Sequence, residues 1–198
     1  MTSVIIVGMP SALRDYAVDN LRYIRETMER ASAFTSIPGW GGVAIGVTAL
    51  ITTAVSEPMT SWQPQRWLAT WLIEAAIAAA IGAATMWAKA RRAQTPFMSG
   101  AARRFFISYL APLAAGAILT ITTAVHVLPA TWLLLYGVAF VSSGAFSIRV
   151  IPVMGFCFMF AGALAAFLPL PVSNLILGAA FGGLHIIFGL IIARNYGG

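Results

Sequence analysis

The chain has 198 residues, of which 60% are hydrophobic and 9% are charged, and its formal net charge is +6. Soluble domains carry about 25% charged residues, so this composition excludes an ordinary soluble protein and indicates a protein of the lipid bilayer. The apolar runs are continuous rather than alternating, which predicts membrane-spanning helices. The single cysteine, Cys157, lies within one of these runs, and this excludes a disulfide framework.

Residues 1–38 precede the first long apolar run and are predicted to form a cytoplasmic segment. No cleavable signal peptide is expected, because that run begins only near Gly39. Ser11 suits the N-cap of an amphipathic helix over residues 12–34. Its narrow apolar stripe consists of Ala17, Leu21, Ile24, Met28 and Ala31. Such a helix either lies along the membrane or the end of the bundle, or binds a partner or a second copy.

Six apolar runs approach the roughly 20 residues that a helix needs to cross about 30 Å of hydrocarbon. They cover residues 39–56, 67–88, 105–128, 131–147, 150–168 and 174–193. The predicted fold is therefore an all-α integral membrane protein. It consists of a six-helix transmembrane bundle over residues 39–194, the amphipathic N-terminal cytoplasmic helix, and a cytoplasmic tail over residues 195–198.

Positive charge is concentrated on one side of this topology. Of the twelve lysine and arginine residues, all except Arg66 fall on that side. Basic residues are retained in the cytoplasm during insertion, so both termini are predicted to be cytoplasmic in a bacterial inner membrane. The connection between the second and third spans is expected to contact anionic lipid head groups through Arg91, Arg92, Arg103 and Arg104. The topology accounts for the basic charge, and no nucleic-acid partner is expected.

The spans pair into three helical hairpins, and a short motif recurs in the first two. Residues 51–55 and residues 121–125 both read Ile-Thr-Thr-Ala-Val. A proline follows the first helix of each hairpin, at Pro58, Pro129 and Pro169. The pattern indicates a threefold pseudo-repeat, with chance similarity between apolar sequences as the alternative.

Small and aromatic residues predict how the helices pack and where they meet the membrane surface. Two GxxxG pairs, Gly42 with Gly46 and Gly178 with Gly182, favour close helix contacts. Tryptophans near the ends of the spans predict interfacial anchors. Those assigned to the outer boundary are Trp62, Trp67, Trp71 and Trp132.

Polar residues inside the spans are the default candidates for function. Glu74 lies in the second span, His185 lies in the sixth, and His126 lies near the outer end of the third. A lone carboxylate at the depth of Glu74 has to be protonated, paired or open to water. Either histidine, or a threonine hydroxyl such as that of Thr52 or Thr122, is the expected partner.

One segment superficially resembles the serine–histidine dyad of rhomboid proteases, namely residues 141–144, which read Val-Ser-Ser-Gly, together with His185. The rhomboid pattern has a glycine where Val141 stands. Ser143 also falls near the cytoplasmic end of its helix, whereas the rhomboid serine lies toward the outer side. An intramembrane protease is therefore not expected, and no catalytic residue is assigned.

Cofactor and metal sites have little support in the sequence. His126 and His185 differ in depth by roughly 10 Å or more, which is too far for both axial positions of one haem. A single-histidine pigment or haem site at His185 stays open as an alternative. The histidines and Glu74 lie on three different spans and converge poorly as metal ligands. No cofactor and no metal are expected.

Two function classes remain. The first is a non-catalytic accessory or signalling subunit that acts through protein–protein contacts, using helix 12–34 and the basic loop 89–104. The second is a small-solute or proton-coupled transporter or channel that uses Glu74 and His185. The first is favoured, because a transport pathway usually leaves more polar residues in the spans than are found here.

Overall fold

The computed structural model describes residues 16–24, 27, 33–93 and 99–197, and every regular element among them is helical. The long helices are α1 (Gly39–Ser56), α2 (Pro64–Arg92), α3 (Gly100–Thr122), α4 (Leu128–Gly144) and α5 (Val150–Ala165). The last helix comprises α6 (Leu170–Gly178), a π-helical segment (Ala179–Leu184) and α7 (His185–Tyr196). Short 3₁₀ turns at Glu57–Met59 and Val125–Val127 complete the elements. The chain divides into two compact units, Met1–Ser32 and Ala33–Gly198.

In the first unit, residues 16–24 form a helix on which every residue is exposed. The predicted helix over residues 12–34 differs from the structure at its C-terminal end, because Ala33 and Phe34 are not helical. The Phe34 N–H donates to the Phe146 carbonyl oxygen at 2.7 Å, so it is not used in a helix. The proposed N-cap, Ser11, lies outside the described residues.

Within the described residues, five helical segments are long and apolar enough to cross a bilayer: Gly39–Met59, Pro64–Arg92, Gly100–Thr122, Val125–Gly144 and Leu170–Tyr196. A sixth, Val150–Ala165, is apolar but has only 16 residues. The prediction of an all-helical, multi-pass membrane protein is therefore confirmed at this level.

The third predicted span was expected to continue to residue 128, but α3 ends at Thr122. Thr123 is extended, with φ −109° and ψ 150°, and α4 begins at Leu128 with Pro129 in its first turn. Proline lacks an N–H and is accommodated in a first helical turn but not in a helix interior. The fifth predicted span likewise ends early, at Ala165, and the last helix begins at Leu170.

Because of this break, the two copies of the Ile-Thr-Thr-Ala-Val motif have different backbone conformations. Residues 51–55 lie entirely inside α1, whereas residues 121–125 include the end of α3, an extended link and the start of a 3₁₀ turn. The two identical five-residue sequences therefore adopt different structures, and this motif does not support a threefold repeat.

Glycines set the closest helix contacts. A Cβ atom added to Gly46 of α1 would lie 2.6 Å from the carbonyl oxygen of Gly182 and 3.0 Å from the backbone nitrogen of Ile186. Similarly, a Cβ atom on Gly137 of α4 would lie 2.6 Å from the carbonyl oxygen of Gly155 of α5. Both pairs of helices approach so closely that their backbones touch, as expected where small residues mediate association in lipid.

One end of the bundle is held together by Lys89 at the end of α2. Its Nζ donates to the carbonyl oxygens of Ile37 at 2.9 Å and Tyr196 at 3.0 Å, and also to that of Gly197. At the same end, the Ser147 hydroxyl donates to the Phe34 carbonyl oxygen at 2.7 Å. The segment 33–38, the end of α2, the α4–α5 connection and the end of α7 therefore meet at one end, which we call the basic end.

Candidate functional site

Glu74 lies at the contact between α1 and α2, and only 5% of its surface is exposed. Trp67, Trp71 and Glu74 are the large buried residues of α2, and their spacing of four and three residues places them on one helix face. The Thr48 hydroxyl lies 2.8 Å from Glu74 Oε1, and the Thr52 hydroxyl lies 3.1 Å from Oε2. Each carboxyl oxygen therefore has one threonine of α1 as its partner. We call these three residues the Glu74 cluster.

Thr52 was an expected partner of this carboxyl, whereas Thr48 was not anticipated. Thr48 lies one turn before Thr52 on the same face of α1, so helical spacing was the signal that would have found it. None of the other three candidates is brought to Glu74: Thr122 and His126 are exposed, and His185 is bonded to Tyr136 and Phe181. The Thr122 hydroxyl donates instead to the Ile118 carbonyl oxygen at 3.1 Å, within its own helix.

A second polar cluster surrounds Asn174 of α6, which is fully buried. Its Oδ1 accepts from Trp67 Nε1 at 2.8 Å, Trp71 Nε1 at 3.0 Å and the Ser56 hydroxyl at 3.1 Å. One amide oxygen thus joins α1, α2 and α6. We call these four residues the Asn174 cluster. Sequence reasoning missed it by considering only ionisable groups, although an asparagine in an apolar run was a usable signal.

Two of the tryptophans that were predicted to be interfacial anchors are instead buried in the Asn174 cluster. Trp67 and Trp71 were expected at the membrane surface, but they are 0% and 4% exposed and their N–H groups face the protein interior. Trp67 stacks on Trp132, with ring centroids 5.7 Å apart and planes 5° apart. Trp62 is 86% exposed, which is consistent with an interfacial position.

His185 is buried at the start of α7, and both of its ring nitrogens have partners. Nδ1 lies 2.8 Å from the Phe181 carbonyl oxygen, and Nε2 lies 2.9 Å from the Tyr136 hydroxyl. A carbonyl only accepts, so Nδ1 carries the proton and Nε2 accepts from Tyr136. The hydrogen bonds therefore fix the neutral tautomer of this histidine.

The first of these bonds lies within the last helix, where the π-helical segment ends and α7 begins. The backbone N–H of His185 donates to the Gly182 carbonyl oxygen, three residues back, instead of to Phe181 as in a regular α-helix. The Phe181 carbonyl oxygen, four residues back, accepts from the imidazole ring. Such single-turn π segments often mark functional positions in helices.

Aromatic rings enclose the histidine and its tyrosine. The ring of Tyr136 lies within 5.0 Å, centroid to centroid, of Phe140, Phe158 and Phe181, and Phe181 stacks on His185 at 6.1 Å. We call these five residues the His185 cluster. Its rings pack against one another, so the cluster is a filled aromatic core around the hydrogen-bonded imidazole.

The serine–histidine pair considered from the sequence does not form. The Ser143 hydroxyl donates to the Ala139 carbonyl oxygen at 2.7 Å, and the Ser142 hydroxyl lies 3.0 Å from the backbone carbonyl oxygen of Ser108. His185 binds Tyr136 instead of either serine. Haem ligation by His185 would require its Nε2 to give up the Tyr136 hydroxyl. Among the described residues, no group of three or more His, Cys, Asp or Glu side chains is arranged to hold a metal ion.

Comparison with known proteins does not extend this description. No protein-family model, no curated protein and no solved structure matches the chain.

Proposed function

We propose that the protein is a non-catalytic accessory or signalling subunit of a bacterial inner membrane that acts through protein–protein contacts. The observation that carries this proposal is the N-terminal helix over residues 16–24. The two large side chains of its apolar stripe are more than half exposed: Leu21 at 67% and Ile24 at 52%. An exposed apolar stripe on one face of an otherwise polar helix is typical of a surface that a partner or a membrane covers.

A six-crossing topology with cytoplasmic termini is part of this proposal. The basic end brings residue 34, the α4–α5 connection and residue 197 to one end of the bundle, which supports an even number of crossings. The shortest helix, α5, has 16 residues and is about 24 Å long at about 1.5 Å per residue. Local thinning of the bilayer accommodates such a helix at modest cost.

The outer face of α2 supports a contact within the membrane as well. Exposed alanines recur along it, at positions 75, 76, 79, 80, 83 and 84. Helix–helix interfaces in membranes are enriched in small residues, because small side chains let two backbones approach closely. We therefore propose a transmembrane helix of the partner, or a second copy of this chain, as the neighbour of this face.

Anionic lipid is the proposed surface partner of the basic end. Arg91 and Arg92 end α2, and Arg103 and Arg104 lie in the first turns of α3. The Arg91 guanidinium lies 4.7 Å from the centre of the Trp87 ring, and that of Arg104 lies 5.6 Å from the centre of the Phe146 ring. Arginines placed beside interfacial aromatic rings suit binding to head-group phosphates.

The partner role is tested by charging the apolar stripe of the N-terminal helix. The double variant Leu21→Glu/Ile24→Glu is expected to reduce recovery of the cross-linked partner, or of a differently tagged second copy, by about tenfold or more. Burial of each such side chain contributes about 1.5–3 kcal/mol, and about 1.4 kcal/mol corresponds to a factor of ten. Quantitative mass spectrometry after purification from native membranes measures the recovery.

Tyr23→Glu is the matched control, because Tyr23 is equally exposed but lies off the stripe formed by Ala17, Leu21 and Ile24. Recovery of the partner is expected to be retained in this variant. Equal recovery from the stripe variant and the control would contradict a docking role for the helix.

Transport is the second candidate, and it is favoured by one observation, a buried carboxyl lined by hydroxyl groups at Glu74. It is the weaker proposal, because Glu74 and His185 belong to separate hydrogen-bond clusters. If the protein moves protons or a proton-coupled solute, Glu74→Gln is expected to lower flux in proteoliposomes by at least about tenfold, the scale of losing one charge-assisted hydrogen bond. Unchanged flux in the variant, or no flux above that of empty liposomes, would count against transport.

A further inference from the structure

We propose that Glu74 is a proton-binding site inside the membrane, at which the Thr48 and Thr52 hydroxyls stabilise both the protonated and the ionised carboxyl. The ligand is a single proton, bound at Oε1. This inference does not depend on a partner protein or on transport. It rests on the placement, surroundings and proton inventory of the Glu74 cluster.

Glu74 lies far from the ends of its helix. Glu74 lies ten residues after Pro64, the first residue of α2, which is about 15 Å along the helix axis at about 1.5 Å per residue. It faces α1, and its side chain is 5% exposed. The carboxyl therefore lies deep within an apolar helix pair, where an unneutralised charge is costly.

Among the described residues, the elements packed against α2 place no charged group at Glu74. The last helix contacts α2 through Asn174 and carries His185 and Arg194, but His185 is bonded to Tyr136 and Phe181, and Arg194 lies in the last turn.

Helix α1 contains no ionisable side chain. The two 3₁₀ turns that contact α2 each carry one ionisable group, Glu57 and His126, and both groups are exposed. On α2 itself, Arg66 and Lys89 are about 12 Å and about 22 Å away along the axis. Among the described residues, only hydroxyl groups hydrogen-bond to the Glu74 carboxyl.

The Thr48 hydroxyl can hydrogen-bond to the Glu74 carboxyl in either protonation state. The Thr48 oxygen lies 2.8 Å from Glu74 Oε1 and 2.9 Å from the Ile45 carbonyl oxygen, but its hydroxyl has one proton to donate. When Glu74 is protonated, Oε1–H donates to Thr48 and Thr48 donates to Ile45. When Glu74 is ionised, Thr48 turns its proton to Oε1. The Thr52 hydroxyl donates to Oε2 in both states.

Every polar group of the cluster is therefore satisfied in both states, and the change requires only rotation of the Thr48 hydroxyl. A purely structural carboxyl needs to fit one state alone. The two threonines are only half-buried, and Ala75, beside Glu74 on α2, is exposed. The cluster therefore lies close to the outer surface of the α1–α2 contact.

Infrared spectroscopy of the purified protein in liposomes tests the proposal directly. A protonated carboxyl has a distinct carbonyl stretch that ionisation removes. We expect this band to be present in the wild-type protein, to weaken as the pH is raised and to be missing in Glu74→Gln. Thr48→Val and Thr52→Val are expected to shift its midpoint by about one pH unit or more, the scale of one hydrogen bond to a charged group.

Thr53→Val is the matched control, because the Thr53 hydroxyl donates to the Ala49 carbonyl oxygen and not to Glu74. Its midpoint is expected to equal that of the wild-type protein. Labelling gives a second readout that needs no variant. Dicyclohexylcarbodiimide, an apolar reagent for protonated carboxyls, is expected to modify Glu74 less as the pH rises, with the modified residue identified by peptide mass spectrometry.

Three results would each overturn the proposal. The first is a carboxyl band that stays constant across the whole pH range, which would identify a fixed structural carboxyl. The second is a titrating band that survives in Glu74→Gln, which would assign the proton to another residue. The third is carbodiimide labelling of Glu74 that is absent at every pH.

Discussion

Replacing Asn174 with leucine is expected to lower the free energy of unfolding by about 2–6 kcal/mol. The substitution removes the acceptor shared by Trp67, Trp71 and Ser56. Ser56 retains the Thr53 carbonyl oxygen at 3.3 Å, but the two indole N–H groups lose their partner in a buried site. Each unsatisfied buried donor costs about 1–3 kcal/mol. The loss is large because one side chain serves three helices.

Thermal unfolding in detergent, followed by tryptophan fluorescence, measures this effect at the residues involved. Asn174→Asp keeps an oxygen acceptor at the same position and is expected to retain more stability than the leucine variant. Asn195→Leu is the control, because Asn195 is exposed near the C-terminus. If Asn174→Leu and Asn195→Leu unfold at the same temperature, the amide is not what joins the helices.

The second large effect is expected at the contact between α1 and the last helix. Gly46→Leu is expected to destabilise the protein by about 3 kcal/mol relative to Gly82→Leu, at the upper end of measured overpacking costs. A Cβ atom at Gly46 meets backbone atoms of Gly182 and Ile186, which cannot move without shifting the last helix. At Gly82 it meets only Ile45 Cδ1, at 3.8 Å, which is an ordinary contact.

The comparison isolates the clash, because both substitutions remove a glycine from a helix interior and gain a similar helix propensity. Thermal unfolding of the two variants under the same conditions gives the difference. If Gly46→Leu is as stable as Gly82→Leu, the backbones of α1 and the last helix are further apart than the structure has them.

The helices could be predicted from the sequence, because long apolar runs have few other structures available in lipid. Their ends were less predictable, since local chemistry decides them. Pro129 directs the start of α4, and the apolar residues before it give no sign that the chain is extended at Thr123. Hydrophobicity is the same on both sides of such a break.

The polar clusters depend on contacts between distant residues, and the sequence predicted them unevenly. Glu74 was identifiable as a lone carboxyl in an apolar run, and a threonine partner was expected from chemistry alone. The bond between His185 and Tyr136 joins residues 49 positions apart, and no local pattern indicates it. The burial of Trp67 and Trp71 was not predicted, because tryptophan serves equally well at a membrane surface and as a buried donor.

The π-helical segment of the last helix bears on how the length of this chain can vary. A π turn accommodates about one residue more than an α turn, so residues 179–184 hold a surplus within the helix. Deleting Gly183, whose added Cβ atom would meet nothing within 4 Å, would return this stretch to α-helical register. Shortening the chain by a single residue there would thus remove the surplus while preserving the crossing, whereas a deletion in a regular α-helical stretch would rotate every later side chain by about 100° around the helix axis.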